Sequence, residues 1–399
     1  MSLLLYVAFA SANGLTSHVY VSERAIEYLP AGELRDLLGD PALWPWVRNG
    51  TQFPDGGYAM GEAYSETSHW EPYQNLYFRW IQDQYGPDFA SDEARQHIAY
   101  LFGMSSHGMG DQVFDSLYMQ RAYVYDAASD WDGASMDHST DVALAAETGG
   151  YPLMDLIIYE DPFVALMAEA GVEVDADTLE SGQNLTMLAV AAVAGEGASE
   201  EHRAEHEAAF PWAYAHMFDE AVPGCPEWEA RVVAQYWQVR WAQLHGEVHA
   251  LEPVLYTFPQ PGGYDHPTDA TSVESRVTVV FARGLVADLL PPDLFEVTDA
   301  DGGVVPMQAP WVFYGTSSHV VHLAPVDDWA EDTEYTVTVR AGVPFIDGTE
   351  STEEVQFVFN TGPAPEVYAG PACGCDTAGG LGGMAAAAFG SLVAVRRRR

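Results

Sequence analysis

The sequence contains no lysine: all 16 of its basic residues are arginine, and four of these form the terminal run 396–399. Against them stand 59 acidic residues, which give a formal net charge of -43. A surface this acidic repels phosphate backbones, so nucleic acid is not expected as a partner. The same surface attracts divalent cations and favours solubility in salt.

Cysteine is also scarce, since Cys225, Cys373 and Cys375 are the full set. None of them lies near the histidine-rich N-terminal part of the chain, so a thiolate metal site is excluded there and no disulfide framework is expected. The composition is otherwise that of a folded protein, at 48% hydrophobic and 12% aromatic residues. A chain of 399 residues is long enough for two domains.

The stretch His97–Tyr118 carries the strongest local pattern. Its apolar residues recur at steps of three and four, which predicts a buried helix. His107 and Asp111 stand four residues apart and Asp115 follows four later, so one imidazole and two carboxylates share a stripe of that helix. Burying this much polarity is costly unless a cation compensates it, which predicts a divalent metal site. The alternative is a polar helix edge at a surface cleft.

Further histidines and carboxylates occur in the same part of the chain. His18 lies in the first turn of a predicted helix, Asp55 in a Pro-Asp-Gly turn and His69 at a loop–helix junction. The full set of candidate ligands is His18, Asp55, His69, His107, Asp111, Asp115, Asp137, His138 and Asp141. Mixed imidazole and carboxylate ligands suit zinc, and more than four of them suit a cluster with open positions for a substrate.

Several of these residues lie in motifs that resemble a known enzyme family. The run TSHVYVSERAIEYL at 16–29 is similar to the opening of bacterial zinc-dependent phospholipase C and of glycosylphosphatidylinositol-specific phospholipase D. TSHW at 67–70 and the spacing of His107 and Asp111 match that family in order, and the resemblance covers roughly residues 13–145. The family is related to the fungal single-strand nucleases. The resemblance implies an all-α domain that holds three zinc ions and hydrolyses phosphodiesters.

The resemblance also implies which residues hold the first two zinc ions. The first ion takes two aspartates and two histidines: Asp55, His69, His107 and Asp111. Asp111 bridges to the second ion, which also takes His18 and the amine and carbonyl of Asn13 as the mature N-terminus. Asp55 is the expected catalytic residue, which orients or deprotonates the attacking water. Its alternative role is that of a zinc ligand alone.

The third zinc site departs from the family pattern. The phospholipase C pattern has a histidine where this chain has Leu117, and the phospholipase D pattern has one where this chain has Asp115. The family closes with a histidine and an acid four residues later, a spacing that Asp137 and Asp141 have and that His138 and Asp141 lack. We therefore expect a third site that is rich in carboxylates.

A second metal-binding string is HRAEH at 202–206, which has the H-x-x-E-H form of some metalloproteases. Its surroundings, 197–207, are polar and charged rather than those of a buried helix. We expect a solvated helix face here and no protease site.

Beyond an expected all-α domain at 13–250, the periodicity changes. A Pro- and Gly-rich stretch at 251–267 is expected to be a linker. Alternation of period two then predicts strands at 275–281, 319–323, 334–340 and 354–359. This pattern resembles a bacterial Ig-like β-sandwich at 268–362, which would serve as a spacer or binding module.

The two ends resemble export signals. Residues 1–12 contain a short apolar run and a small-residue cleavage site, which predicts a signal peptide, although the charged start of such a peptide is missing. Residues 363–399 combine Cys373-Gly-Cys375, an apolar stretch and the arginine run, and they resemble a myxobacterial-type C-terminal sorting tag. The alternatives are a buried N-terminal strand and a disordered tail. We expect an exported protein, either secreted or held at the cell surface.

These features together predict an exported zinc-dependent phosphodiesterase of phospholipase C type. Its substrate would be a phospholipid or glycosylphosphatidylinositol at a membrane surface. One alternative is a single-strand nuclease of the same fold, which the net charge of -43 disfavours. The other is a non-catalytic, zinc-stabilised surface or adhesion protein. The sequence leaves open which bond at phosphorus would be cleaved.

Overall fold

The computed structural model describes residues 14–126, 133–247, 253–313 and 318–364. The expected signal peptide, Asn13 and nearly all of the expected sorting tag lie outside these ranges. Helices occupy the described chain up to Leu244, and strands occupy it from Val254. This order confirms the predicted fold class, an all-α domain followed by an all-β sandwich.

The α-helices have the following bounds: α1 Leu15–Tyr28, α2 Glu33–Leu38, α3 Trp44–Gln52, α4 Tyr64–His69, α5 Glu71–Tyr85, α6 Asp92–Val113, α7 Met119–Tyr125, α8 Gly133–Thr148, α9 Glu160–Glu169, α10 Ala176–Gly197, α11 Glu200–Ala209, α12 Pro211–His216 and α13 Pro226–Leu244. A 3-10 helix at Pro54–Met60 joins α3 to α4.

Helix α6 is buried along most of its length and forms the centre of the helical domain. Helix α3 packs directly against it because glycines remove the side chains where the two helices cross. A Cβ atom on Gly50 would lie 2.0 Å from the carbonyl oxygen of Tyr100, and Gly103 makes an equally close approach from the α6 side. This close packing brings the backbone of Thr51 next to the side chain of His107.

Helix α6 ends at Val113 and continues into a π-helical turn, Phe114–Tyr118. The sequence predicted one uninterrupted helix as far as Tyr118. Asp115 therefore lies on the π-helical turn, where the α-helical spacing from Asp111 does not hold.

The strands form two antiparallel sheets. Their bounds are β1 Val254–Phe258, β2 Val277–Phe281, β3 Phe295–Asp299, β4 Trp311–Val312, β5 Val320–Leu323, β6 Glu334–Val339 and β7 Val355–Asn360. One sheet has the order β1-β2-β5-β4 and the other has the order β3-β6-β7. Apolar side chains from both sheets form a shared core, including Val279, Val321, Val337 and Phe357. The stretch expected as a linker contains β1, which pairs with β2 through a run of apolar and β-branched residues.

Glu71, the first residue of α5, joins the helical domain to the β-domain. Its carboxylate accepts a hydrogen bond from Gly284 N at 2.6 Å and lies 2.9 Å from Nε2 of His319. From α13, Nη1 of Arg240 lies 3.5 Å from its other oxygen. The second ring nitrogen of His319 faces the carbonyl oxygen of Phe281 at 2.9 Å, so this geometry uses both ring protons. Burial alone raises the pKa of Glu71, but its cationic neighbours outweigh this effect and lower the pKa to about 2.

The same interface reaches α6. The backbone N–H of His319 donates to Oε1 of Gln112 at 2.6 Å, and Gln112 directly follows Asp111 in the sequence. Glu71 stands two residues after His69. His319 of the β-domain thus contacts residues adjacent to two of the candidate metal ligands.

Within the ranges that the structure describes, no helix has both the length and the hydropathy needed to cross a membrane.

Candidate metal centre

Five of the predicted ligands converge on one buried point of the helical domain. They come from α1, the 3-10 helix, α4 and α6, and none is more than 5% exposed: His18, Asp55, His69, His107 and Asp111. We refer to these five side chains as the histidine–aspartate cluster. The spacing of His107 and Asp111 on α6 places both side chains in it, as the sequence predicted.

Gly108 on α6 allows His69 to lie close to His107, because a glycine has no side chain in the way. A Cβ atom on Gly108 would lie 2.0 Å from the carbonyl oxygen of His69, so α6 and the end of α4 are in direct backbone contact. Gln74 supports the same junction, because its Nε2 donates to the His69 carbonyl at 2.7 Å. Gly108 directly follows His107 in the sequence, but its contact with His69 depends on the fold and could not be predicted.

The ligand atoms of four members stand at nearly equal distances. From Nε2 of His69, the distances are 3.0 Å to Nε2 of His107, 3.4 Å to Oδ1 of Asp55 and 3.6 Å to Oδ2 of Asp111. From Nε2 of His107, they are 3.7 Å to Asp55 and 3.4 Å to Asp111. Four ligands held tetrahedrally at about 2.0–2.2 Å from a metal ion are about 3.3–3.6 Å apart. The ligand atoms of Asp55, His69 and His107 all lie within 4.8 Å of one another, and those of His18, His107 and Asp111 form a second such set, so His107 belongs to both.

The orientation of the two imidazoles also suits a metal ion. Nδ1 of His69 is 2.6 Å from the carbonyl oxygen of Ser65, and Nδ1 of His107 is 2.6 Å from that of Thr51. A carbonyl can only accept, so each Nδ1 carries a proton, and in the neutral ring Nε2 presents a lone pair. When both rings are neutral, these two lone pairs lie 3.0 Å apart and repel each other unless a proton or a metal cation lies between them. A carbonyl bond to the outer ring nitrogen is also the usual orientation of a metal-bound histidine.

Asp111 connects these four atoms to His18. Its Oδ1 is 3.2 Å from Nε2 of His18, whereas its Oδ2 faces His69 and His107. The ring of His18 stacks on that of His107 with centroids 3.5 Å apart. Nδ1 of His18 has no hydrogen-bond partner among the described residues, although the side chain is buried. One carboxylate thus presents its two oxygens to two separate sets of imidazoles, which is the arrangement of a bridging ligand.

The imidazole pKa values shift in opposite directions. Burial lowers the pKa of His107 well below its ordinary value, and the neighbouring His18 and His69 add to this effect. Burial also acts to lower the pKa of His69, but Asp55 and Asp111 outweigh it and raise that pKa to about 9. The buried carboxylates therefore require a positive charge close by. A divalent cation would supply it and leave the imidazoles neutral.

The three aspartates predicted for the third zinc site are buried, but they lie outside the sets of ligand atoms around His107. Asp115, Asp137 and Asp141 are 2–5% exposed, and among the described residues none of them belongs to the sets of mutually close ligand atoms around His107. Asp141 instead caps α1, because its Oδ1 accepts from Ser17 N at 2.8 Å and Ser17 Oγ at 3.0 Å. Burial raises the pKa of Asp141, which these hydrogen bonds partly offset.

His138, another third-site candidate, also lies elsewhere. Its Nε2 is 2.7 Å from Oε2 of Glu196, and its side chain is 43% exposed. The reason is the helical spacing itself, because His138 and Asp137 are consecutive and so face different sides of α8.

Two aromatic residues border the cluster at the surface. The rings of Tyr58 and Trp70 lie 5.1 and 5.6 Å from that of His69. Both donate hydrogen bonds to the exposed carboxylate of Glu66, at 2.7 and 2.8 Å. Tyr58 and Glu66 were not predicted from the sequence, because the contacts of Tyr58 with His69 and with Glu66 depend on the 3-10 helix.

The close packing at Gly108 gives a testable expectation. Gly108→Ala would push the His69 backbone away from α6, so we expect zinc affinity to fall by about 10–100-fold, as for changes to groups that orient metal ligands. Competition with a chromogenic chelator measures this affinity. The matched control is Gly195→Ala on the exposed face of α10, where a Cβ meets nothing within 4 Å. The control is expected to keep full affinity and gain about 0.5–1 kcal/mol of stability. Unchanged zinc affinity in Gly108→Ala would contradict the packing argument.

The β-domain matches the Big_5 family, described as "Bacterial Ig-like domain", over residues 254–361. The likeness to solved structures is slight. CopC from Methylosinus trichosporium OB3b is 17% identical, and the match covers 29% of this chain and 97% of that chain with a TM-score of 0.21. The S-layer protein rSbsC is 11% identical, with coverages of 84% and 47% and a TM-score of 0.23. Scores this low carry no argument about the fold.

The chain also has weak, partial similarity to phosphatidylinositol-glycan-specific phospholipase D. The Rattus norvegicus protein is 29% identical over 147 residues, which is 34% of this chain and 17% of that protein. The Mus musculus protein is 30% identical over 121 residues, which is 28% of this chain and 14% of that protein. This chain therefore matches less than a fifth of the length of these relatives.

Proposed function

We propose that this chain is a zinc-dependent hydrolase of lipid phosphodiesters, with the histidine–aspartate cluster as its active centre. The observation that carries this proposal is the pair of imidazoles whose Nε2 atoms face each other at 3.0 Å beside two buried carboxylates. Such an arrangement is costly without a cation. Two histidines with two carboxylates are a ligand set that zinc takes readily.

In this proposal Asp55, His69, His107 and Asp111 hold one zinc ion. Asp111 and His18 would hold a second ion, together with the amine and carbonyl of Asn13 if export exposes them. Among the described residues, Asp115, Asp137 and Asp141 do not form a set of mutually close ligand atoms, so the proposal includes no third ion at these residues. Bound zinc would lower the pKa of water towards neutrality and offset the charge that develops on a phosphoryl group.

The chain's own residues have separate tasks in this reaction. Asp55 orients the attacking water and accepts its proton, because its carboxylate is the cluster member on the short 3-10 helix and remains 5% exposed. The carbonyls of Ser65 and Thr51 keep His69 and His107 in the tautomer that leaves Nε2 free. Tyr58 and Trp70 border the cluster and would pack against the substrate next to His69.

A lipid fits this chain better than a nucleic acid. The similarity to phosphatidylinositol-glycan-specific phospholipase D supports a lipid substrate. A net charge of -43 opposes the approach of a polyanionic strand, whereas a single phosphodiester in a lipid headgroup carries only one charge. The same similarity favours cleavage on the headgroup side of phosphorus, which releases phosphatidic acid. The C-type cleavage predicted from the sequence, which releases diacylglycerol, is the second candidate.

The test is product analysis with the zinc-loaded full chain. Vesicles of phosphatidylcholine and phosphatidylinositol, and vesicles carrying a glycosylphosphatidylinositol-anchored protein, would be incubated with it and the lipids separated. Phosphatidic acid is the expected product, and diacylglycerol would establish the C-type reaction instead. Single-stranded DNA is the comparison substrate, and its cleavage without lipid turnover would replace the proposal with a nuclease. No turnover of any substrate by the fully zinc-loaded protein would favour a binding role.

A further inference from the structure

A second group of potential metal ligands shares no residue with the histidine–aspartate cluster. It comprises His138 of α8, Glu196 of α10 and His206 of α11, whose ligand atoms all lie within 4.8 Å of one another. The same oxygen, Oε2 of Glu196, is 2.7 Å from Nε2 of His138 and 3.8 Å from Nε2 of His206. Three separate helices therefore direct two imidazoles and one carboxylate at a common point near the surface.

The hydrogen bonds around His206 determine which of its nitrogens is free. Oγ of Ser139 donates to the carbonyl oxygen of Ser135 at 2.8 Å, so its hydrogen is already used. The same Oγ is 2.9 Å from Nδ1 of His206 and must accept from it. Nε2 of His206 then presents a lone pair towards Glu196, which can also only accept. In the neutral ring, Nε2 is therefore the nitrogen available to a metal ion.

We propose that His138, Glu196 and His206 form a separate zinc site. Two imidazoles and one carboxylate are a ligand set that zinc uses with water in a fourth position. Zinc ligands lie about 3.3–3.6 Å apart, so only small movements are needed from the observed separations of 2.7 and 3.8 Å. Oε2 of Glu196, which both imidazoles approach, would be the carboxylate ligand of the zinc ion. This proposal is independent of any hydrolytic function.

The site would fasten α11 to the rest of the helical domain. Helix α11 buries none of its residues, so packing contributes little to its position. A zinc ion would link it through His206 to α8 and α10. The HRAEH string thus has a role that differs from a protease site, since His202 is exposed and only His206 enters the cluster.

The experiment counts bound zinc in the full chain. Equilibrium dialysis followed by elemental analysis would compare the unmodified protein with His206→Ala, Glu196→Gln and the control His202→Ala, which alters an exposed histidine on the same helix. We expect one zinc ion fewer per chain in the first two variants and no change in the control. Hydrogen exchange in 200–209 should slow when zinc is added to the unmodified protein and to the control only. Equal zinc content in all four proteins would overturn the proposal.

A second measurement needs no variant. Crystals of the full chain grown with zinc would be measured at the zinc absorption edge. We expect an anomalous peak about 2.0–2.2 Å from three atoms: Nε2 of His138, Nε2 of His206 and Oε2 of Glu196. Peaks at the histidine–aspartate cluster without one at this position would overturn the proposal while leaving the proposed active centre intact.

Discussion

Asp111→Ala is expected to lower kcat/KM for lipid phosphodiester hydrolysis by at least about 10³-fold. A metal ion stabilises the charge of the transition state by several kcal/mol, and each tenfold change in rate corresponds to about 1.4 kcal/mol. Asp111 presents one oxygen to His18 and the other to His69 and His107. Its loss removes a ligand from two proposed zinc ions at once. Zinc content, measured by elemental analysis after dialysis, should therefore fall together with activity.

The matched control removes another buried aspartate from the helical domain. The carboxylate of Asp126 accepts hydrogen bonds from Trp212 N at 2.8 Å and Ala213 N at 2.9 Å, which caps α12. Asp126→Ala should cost about 0.5–2 kcal/mol of stability and leave zinc content and activity unchanged. Should Asp111→Ala not fold, Asp111→Asn keeps the side-chain volume and is expected to show the same losses. A folded Asp111 variant with full zinc content and activity would refute the role of the cluster.

Glu71→Gln should have the largest effect on stability, lowering the free energy of unfolding by about 3–5 kcal/mol. The carboxylate lies between Arg240 of the helical domain and His319 of the β-domain, and all three side chains are 2–3% exposed. Removing its charge leaves the Arg240 guanidinium buried without its carboxylate partner, and the penalty of desolvating that cation then counts against folding. Denaturant unfolding followed by tryptophan fluorescence measures this change.

A second ion pair at the same interface provides the control. Nε of Arg121 is 2.8 Å from Oε2 of Glu274, whose side chain is 26% exposed. Arg121 is only 2% exposed, so Glu274→Gln also leaves a buried cation, but we expect a smaller cost than for Glu71→Gln because water reaches the carboxylate of this pair. A double-mutant cycle of Glu71→Gln with His319→Gln separates their coupling from other effects. If Glu71→Gln and Glu274→Gln cost the same small amount, Glu71 does not hold the two domains together.

The parts of the structure that depend on local spacing were predictable from the sequence. His107 and Asp111 share a helix face at four-residue spacing, and that geometry holds for any regular α-helix. The alternation at β2, β5, β6 and β7 predicted strands for the same reason. The strand β1 was missed because its apolar residues lie in a stretch whose prolines and glycines indicated a linker.

Features that depend on the meeting of distant segments were not predictable. Asp141 can cap α1 only because α8 lies against that helix. His138 can lie near Glu196 and His206 only because α8 also lies near α10 and α11. Nothing in the sequence around Glu71 distinguishes it from a surface glutamate at a helix start. The π-helical turn after Val113 likewise changes the position of Asp115 without a signal in the sequence pattern.

The central claim is that the histidine–aspartate cluster binds the metal on which phosphodiester hydrolysis depends. One titration tests it: the full chain is stripped with a chelator, zinc is returned in measured steps, and bound zinc and hydrolysis of phospholipid vesicles are recorded together. The account predicts no activity in the stripped protein and a return of activity as the cluster fills, with His107→Ala inactive at every step. Activity that persists after zinc removal, or in zinc-free His107→Ala, would contradict it.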